Sequence, residues 1–173
     1  EAAASEIIYL LRKSSVTGAF LILDGPGIRS QGDSRAGLYV RDLDPLTYSV
    51  DNADLLMERG MPNLSKDLGI ALDSYWSAAF SFDFAAEPEE ESYFFAPLRA
   101  AQNASVAERT DSGNFGYWGL GKYLNPCDGA KLITYSIPLI ADDGSVLGVL
   151  GVTVSQSYLT SLMQYRELTE NGG

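Results

Sequence analysis

The sequence of 173 residues contains no histidine, and its one cysteine is Cys127. Histidine is the commonest general base and the commonest metal ligand, so its absence excludes Ser-His and Cys-His catalytic pairs and histidine metal sites. A single cysteine excludes an intrachain disulfide and any metal site built from several cysteines. It does not fix the compartment, because a lone cysteine is also compatible with a cytoplasmic protein.

Positive charge is scarce: 12 Lys and Arg stand against 23 Asp and Glu, which gives a net charge of −11. Such a chain repels the phosphates of a nucleic acid, so no nucleic-acid partner is expected. The sequence also lacks the run of about 18 apolar residues that a membrane-spanning helix needs. It does not open with a signal peptide, and any link to a membrane would lie outside the residues shown.

Three motifs of enzyme and metal chemistry are absent. There is no Gly-x-x-x-x-Gly-Lys-Ser/Thr phosphate loop, no Gly-x-Ser-x-Gly nucleophile elbow and no Asp-x-Asp-x-Asp-Gly calcium loop. The glycine-rich stretch 116–121 is crossed by aromatic residues and lacks the strand-to-helix setting of a phosphate loop. We therefore expect neither catalysis nor a bound cofactor or metal.

The first third of the chain predicts a helix followed by two strands. Residues 5–14 carry apolar side chains at helical spacing on one side. Residues 17–24 are an apolar strand run that ends in the turn residues 25–27. Residues 36–40 predict a second strand, which could pair with the first as a hairpin with a long loop.

The middle of the chain is mixed. Residues 54–59 predict a short helix, and Pro62 marks the start of another, because proline is favoured in the first helical turn. Residues 76–84 place three phenylalanines at period two, which predicts a strand with an aromatic face. Residues 89–107 predict a helix that Pro97 should kink or split.

Residues 131–140 and 145–155 give the clearest signal. Both runs are apolar and rich in β-branched residues, and the Asp-Gly pair at 143–144 separates them. This pattern predicts an antiparallel hairpin, which we expect at the centre of the sheet. Gly148 and Gly151 would be the places where a helix or a ligand approaches the backbone closely.

Residues 157–168 have apolar residues at helical spacing and predict a final helix. The order of predicted elements is helix, strands, helices, a long hairpin and an exit helix. This order indicates an α+β fold, with an antiparallel sheet and helices segregated from it.

Most of the aromatic residues crowd into the middle third. The phenylalanines within 80–84 are interpreted as core. Buried Tyr and Trp need partners for their polar atoms, and they often line pockets. Tyr117 and Trp118 lie in a segment rich in Gly and Asn, which is typical of a functional loop. Arg99 has two interpretations, an exposed helix residue or a bidentate clamp on a carboxylate.

Residues 133–140 (Ile-Thr-Tyr-Ser-Ile-Pro-Leu-Ile) and 146–155 (Val-Leu-Gly-Val-Leu-Gly-Val-Thr-Val-Ser) resemble the closing strands of Cache domains. These domains are the extracytoplasmic PAS-like sensor modules of bacterial chemoreceptors, histidine kinases and diguanylate cyclases. Residues 17–23 resemble the early strand of the family, and residues 93–101 with 117–118 resemble its pocket-proximal stretch. Together these stretches span nearly the whole chain.

The resemblance implies a single domain over 1–173 with a PAS-like central antiparallel sheet flanked by helices. An N-terminal helix (1–16) and an exit helix (156–173) would be membrane-proximal and would leave the core (17–155) on the same side. It also implies a place on the extracytoplasmic face of a bacterial membrane, with the membrane spans outside this chain. A homodimer is compatible with this arrangement.

Some members of the family bind free amino acids through an Arg-x-Trp-Tyr motif and a late Asp in the closing strand. Here the first motif is replaced by Glu-Ser-Tyr-Phe at 91–94, and Thr153 stands at the position of the late Asp. The guanidinium for a carboxylate and the acid for an ammonium group are both missing. The resemblance therefore does not extend to this motif, and the pocket floor should be neutral.

We predict that the chain senses a small molecule, which lies between the sheet and the segment 76–123 and alters the C-terminal helix. One alternative is a cytoplasmic PAS-type module that mediates dimerisation without a small-molecule ligand, and another is a degenerate enzyme or an adhesion module. The predicted ligand-binding residues combine aromatic rings, one guanidinium and one threonine hydroxyl: Trp76, Tyr93, Phe95, Arg99, Tyr117, Trp118, Tyr135 and Thr153.

Overall fold

The computed structural model describes residues 2–25, 32–122, 124 and 129–170. The helices in this part of the chain are α1 (Ala2–Ser14), α2 (Pro62–Leu68), α3 (Ser92–Asn103) and α4 (Gln156–Glu170). The strands are β1 (Gly18–Leu23), β2 (Ser34–Arg35), β3 (Gly37–Asp42), β4 (Leu55–Arg59), β5 (Ala71–Ser77), β6 (Phe80–Ser81), β7 (Tyr117–Lys122), β8 (Leu132–Ile140) and β9 (Val146–Ser155).

Seven strands form one central sheet in the order β5-β4-β3-β1-β9-β8-β7. All neighbours are antiparallel except β4 and β5, which α2 connects as a parallel pair at one edge. Strands β2 and β6 form a separate short pair. The predicted α+β fold, a PAS-like central sheet flanked by helices, is confirmed.

The two faces of the sheet carry separate apolar clusters. We call them the α1 face and the α3 face after the helices that pack on them. On the α1 face, Ile7 and Leu11 of α1 pack against Ala19 and Val40. Phe20, which neighbours Ala19 in β1, points to the α3 face, as expected from the period of two along a strand.

The core of the α3 face is aromatic. Phe82 stacks on Phe94 of α3 with ring centroids 4.1 Å apart, and Phe84 packs edge-on against Phe94 and Phe95. The interpretation of the phenylalanines in 80–84 as core is therefore confirmed. Pro97 does not split α3, which runs without a break through it; Pro97 is buried, and α3 packs against β8 and β9.

The predicted helix at 54–59 is wrong, because residues 55–59 form strand β4. Leu55 and Met57 are buried on the α1 face, whereas Glu58 is buried on the opposite side. This alternation has the period of a strand, and the short run offers no second helical turn to outweigh it.

The predicted hairpin of β8 and β9 is confirmed, with β9 placed between β8 and β1. Gly148 has φ +151°, and a Cβ there would overlap the carbonyl oxygen of Ile22 in β1. A Cβ at Gly151 would overlap the Phe20 ring. The two glycines therefore admit the neighbouring strand and its side chain, not a helix or a ligand as expected.

Helix α1 ends and α4 begins at the same end of the sheet. The register shows this, because Gly18 at the start of β1 pairs with Thr153 near the end of β9. α4 follows β9 directly, and the Ser155 hydroxyl accepts a hydrogen bond from the backbone N–H of Tyr158 at 3.2 Å. The membrane-proximal roles of both helices and the same-side exit stay predictions, and residues 171–173 of the predicted exit helix lie outside the described residues.

Candidate functional site

The α3 face carries a line of buried hydroxyl groups across the middle of the sheet. Thr134 and Ser136 of β8 and Thr153 of β9 are all fully buried. Leu132, Thr134, Ser136 and Pro138 alternate with half-buried apolar residues, so the polar residues occupy the inward positions of β8. A core chosen for stability alone would place apolar side chains here, because a buried hydroxyl must find a hydrogen-bond partner.

Gly18 makes room around the Thr153 hydroxyl. The Tyr39 hydroxyl lies 3.4 Å from Thr153 Oγ1, and a Cβ at Gly18 would overlap that oxygen and come within 2.9 Å of the Tyr39 ring. The hydroxyl groups of Tyr39 and Thr153 can therefore approach each other only because Gly18 has no side chain.

The Ser136 hydroxyl is unsatisfied among the residues that the structure describes. Its Oγ is buried and has no hydrogen-bond partner there. Leaving such a group without a partner costs about 1–3 kcal/mol. A polar guest or an ordered water would recover this free energy.

An ion pair extends the polar line towards β4. Arg41 of β3 donates to Glu58 Oε1 at 2.7 Å. The Glu58 side chain is fully buried, while the Arg41 side chain is partly exposed. Both alternate with residues of the α1 face, so the pair lies on the α3 face beside Tyr39.

A cleft of about 400 Å³ opens beside this polar line, where β1 and β8 begin and β3 and β9 end. Its walls include Tyr39, Arg41 and the loop from Asp42 to Leu46. The first turns of α4 close it on the far side. Six lining side chains end in a hydroxyl group: Thr17, Tyr39, Ser155, Ser157, Tyr158 and Ser161.

The loop that walls the cleft is tied to α1 by Arg12. The Arg12 guanidinium donates to Asp42 at 3.1 Å and to the two carboxylate oxygens of Asp54 at 2.5 and 2.6 Å. This hydrogen bonding holds the pKa of Asp54 below its usual value. Burial raises the pKa of Asp42, although the Asp44 backbone N–H and Arg12 act in the opposite direction. The cluster therefore joins the end of α1 to the rim of the cleft.

Asp54 should make stability depend on pH in acid. Because its folded-state pKa lies below the ordinary aspartate value of 3.8, its contribution is present above that pH and is lost as the pH falls through the folded-state pKa. We expect Asp54→Asn to be clearly less stable than the parent at pH 7, and the difference to be smaller at a pH below 3.8. Urea unfolding of both proteins at the two pH values measures this. A difference that stays constant would show that the ion pair with Arg12 does not contribute.

Four of the predicted ligand-binding residues lie on the α3 face. Tyr93 and Phe95 are buried in the aromatic cluster, where the Tyr93 ring packs edge-on against Phe20 at 5.5 Å. Burial raises the pKa of Tyr93 well above its usual value. Thr153 belongs to the polar line, and Tyr117 is half-buried opposite Ser136.

The other four lie elsewhere. Trp118 and Tyr135 form a ring pair on the α1 face, with centroids 4.7 Å apart. Trp76 also packs on the α1 face, and its indole N–H donates to the Gly60 carbonyl oxygen at 3.0 Å. Arg99 is half-buried on α3; its guanidinium lies 5.7 Å from the centroid of the Phe95 ring and donates to Glu87 at 2.8 Å. The eight residues therefore do not line one pocket, and the ligand contacts of the α3-face set stay a prediction.

The cleft and most of its polar neighbours were not predicted from the sequence. A signal was present, because Thr134 and Ser136 interrupt an apolar strand at alternate positions. Arg41 and Glu58 could not be found in this way, since their pairing depends on which residues of β3 and β4 lie side by side.

Comparison with known proteins gives one distant likeness. No family model matches the chain, and no curated protein matches it. Among solved structures, the chain is similar to the extracellular domain of soHK1S-Z6, a protein assigned as a histidine kinase, with a TM-score of 0.46 and 13% sequence identity. The match covers 90% of this chain and 42% of that one, so the chain spans less than half of its length. A likeness this distant carries no inference about ligand or partner.

Two further features concern the described residues alone. None of their helices combines the length and the apolar character needed to cross a membrane. They also contain no group of three or more Asp, Glu, Cys or His side chains that could hold a metal ion.

Proposed function

We propose that this chain is a sensor domain that binds a small polar molecule in the cleft between the end of the sheet and α4, and that transmits binding through α4. The observation that carries the proposal is the cleft of about 400 Å³, which side chains of the central sheet and of the first turns of α4 line together. A molecule bound there contacts both. It therefore favours the arrangement of α4 to which it binds more tightly, which is the requirement for a signal.

The lining favours a hydroxyl-bearing ligand. Arg41 is already paired with Glu58, and Asp42 with Arg12, which Asp54 shares. The remaining carboxylate of the lining, Asp44, is exposed at the rim and accepts a hydrogen bond from the Thr47 hydroxyl at 3.0 Å. The hydroxyl groups around the cleft both donate and accept hydrogen bonds, as a polyol or a sugar does. The neutral Thr153 next to the cleft agrees with this, because no charge there selects an ammonium group.

The resemblance to Cache domains supplies the wider proposal. On that basis the chain works on the extracytoplasmic face of a bacterial membrane, within a receptor whose membrane spans and output domain lie outside it. Ligand entry would then occur outside the cell, and α4 would carry the change towards the next span.

A thermal-shift screen over sugars, polyols, amino acids, organic acids, amines and purines tests the ligand site. A true ligand at about 100 times its dissociation constant adds about 2.7 kcal/mol of stability. We expect hits among the sugars and polyols. Calorimetry should then show binding weakened about tenfold by Tyr39→Phe, which removes one hydroxyl and keeps the ring.

Tyr75→Phe is the matched control, since Tyr75 is exposed on β5, away from the cleft. Hydrogen exchange of residues 156–163 should change when the ligand binds. The proposal would be wrong if no compound stabilises the chain. It would also be wrong if the hits bind Tyr39→Phe as tightly as they bind the parent.

A further inference from the structure

A second cavity of about 270 Å³ lies between the β4–β5 edge of the sheet, strand β6 and the segment that leads into α3. We call it the edge cavity. It shares no lining residue with the cleft beside α4. Its polar lining includes one guanidinium, two carboxylates and one phenol: Arg59, Glu90, Glu91 and Tyr93. The kind of ligand that fits follows from which of these polar groups the protein leaves without a partner.

The Tyr93 hydroxyl is a buried polar group that faces the edge cavity. Tyr93 is only 6% exposed, and its ring packs against Phe20 and Phe82 in the core. Burial raises the pKa of the hydroxyl, Glu91 raises it further and Arg59 lowers it, so the hydroxyl lies near both of these cavity residues. No described residue forms a hydrogen bond with it. A guest in the cavity would supply the partner that a buried hydroxyl needs.

Glu90 and Glu91 are carboxylates without a cation. Neither forms an ion pair within the described part of the chain. Glu91 is half-buried, and its Oε2 accepts a hydrogen bond from the Asp83 backbone N–H at 2.9 Å, which leaves Oε1 for a guest. Burial raises the pKa of Glu91 against the effect of this hydrogen bond, and the negative charges of Asp83 and Glu90 raise it further. A bound cation would relieve the repulsion between these carboxylates.

We propose that the edge cavity binds the ammonium group of a small amine. An ammonium group donates three hydrogen bonds and accepts none. Oε1 of Glu91, the Tyr93 hydroxyl and the Glu90 carboxylate can accept them. The two carboxylates and the net charge of −11 oppose a ligand that is only an anion. The described residues also offer no group of three acids for a metal ion, whereas a single carboxylate already forms a strong, charge-assisted hydrogen bond with an ammonium group.

Arg59 decides whether the amine also carries a carboxylate. Its Nη1 donates to the backbone carbonyl oxygens of Glu58 at 2.8 Å and Tyr75 at 3.1 Å. No carboxylate of the described residues pairs with it. The remaining N–H groups of the guanidinium can therefore donate to a carboxylate of the ligand. The ammonium group thus has two sources, a simple amine and an amino acid, and matched pairs of compounds distinguish them.

Isothermal titration calorimetry of the whole chain tests the proposal with ethanolamine, serine, putrescine and ornithine, each up to about 10 mM. Serine and ornithine are ethanolamine and putrescine with a carboxylate added. At least one compound should bind. Glu91→Gln should weaken its binding about tenfold or more and Tyr93→Phe about fivefold, because the first removes the charge and the second the hydroxyl. Glu6→Gln is the matched control, since Glu6 is exposed on α1, outside the cavity, and the change removes the same charge.

The matched pairs identify the source of the ammonium group. Tighter binding of the amino acid in a pair, with the difference lost in Arg59→Met, identifies an amino acid. Equal or tighter binding of the amine identifies a simple amine. Tyr39→Phe, which changes the cleft, should leave binding here unchanged, so this site and the proposed cleft site succeed or fail separately.

Three results would overturn the proposal. The first is that none of the four compounds binds the parent. The second is that Glu91→Gln and Tyr93→Phe bind them as tightly as Glu6→Gln does. The third is that Tyr39→Phe weakens the binding, which would place the amine in the cleft. Circular dichroism checks that the variants fold, and the exposed Glu90→Gln, which should weaken binding about threefold, replaces Glu91→Gln if that variant does not fold.

Discussion

Replacing Arg12 by methionine is expected to lower the free energy of unfolding by about 3 kcal/mol, because it leaves a buried acid without its partner. The Asp42 side chain is almost fully buried, and Arg12 is the cation with which it forms an ion pair. Methionine keeps much of the arginine's volume, so the change tests the charge more than the packing. Urea unfolding at pH 7 gives the measurement.

Arg99→Met is the matched control for that change. Arg99 also forms an ion pair, with Glu87, but both side chains are about a third exposed. Exposed pairs contribute about 0–1 kcal/mol, so this variant should unfold close to the parent. The double variant Arg12→Met/Asp42→Asn should recover part of the lost stability. Equal losses for Arg12→Met and Arg99→Met would contradict the role assigned to Asp42.

Gly148→Ala is expected to lower stability by more than about 3 kcal/mol, or to prevent folding. Two costs combine at this position. The backbone of Gly148 has φ +151°, a value that residues with a side chain rarely adopt, and the added Cβ would overlap the Ile22 carbonyl oxygen. That oxygen belongs to the central strand pair of β1 and β9, so the backbone cannot move away without breaking the sheet.

Gly129→Ala separates the two costs. Gly129 has φ +68° and open space where the Cβ would lie, so only the backbone strain remains, about 1–2 kcal/mol. Thermal and urea unfolding of both variants give the comparison. If Gly148→Ala were no less stable than Gly129→Ala, the close approach of β1 to Gly148 would add nothing to the free-energy cost of the substitution.

Local patterns were sufficient for the elements that carry their own signal. The hairpin of β8 and β9 follows from two β-branched runs around an Asp-Gly pair, and α1 follows from apolar residues at helical spacing. Strand β4 was missed because Glu58 makes a short apolar run look polar on one side. Glu58 can be buried because Arg41 of the neighbouring strand β3 pairs with it. A pairing between residues this far apart is not visible in a short stretch of the sequence.

The candidate site was predicted less well, for a reason of geometry. Tyr117 and Trp118 are neighbours and were expected in one pocket, on a loop. They lie in strand β7, where successive side chains point to opposite faces, so Tyr117 is opposite Ser136 and Trp118 is opposite Tyr135. Which face a residue occupies depends on the register between strands, and a single residue of slip exchanges the two faces.

The adjacency of β1 and β9 has a consequence for how the chain folds as it is synthesised. Thr17 and Thr153 are hydrogen-bonded neighbours although they are 136 positions apart. Strand β1 therefore leaves the ribosome long before its central partner exists, and the apolar surface that β9 will cover stays open meanwhile. Contacts of such long sequence separation slow folding, so we expect refolding to be limited by docking of the β8–β9 hairpin onto β1. A nascent chain that stops before Val146 should remain sensitive to protease along its whole length.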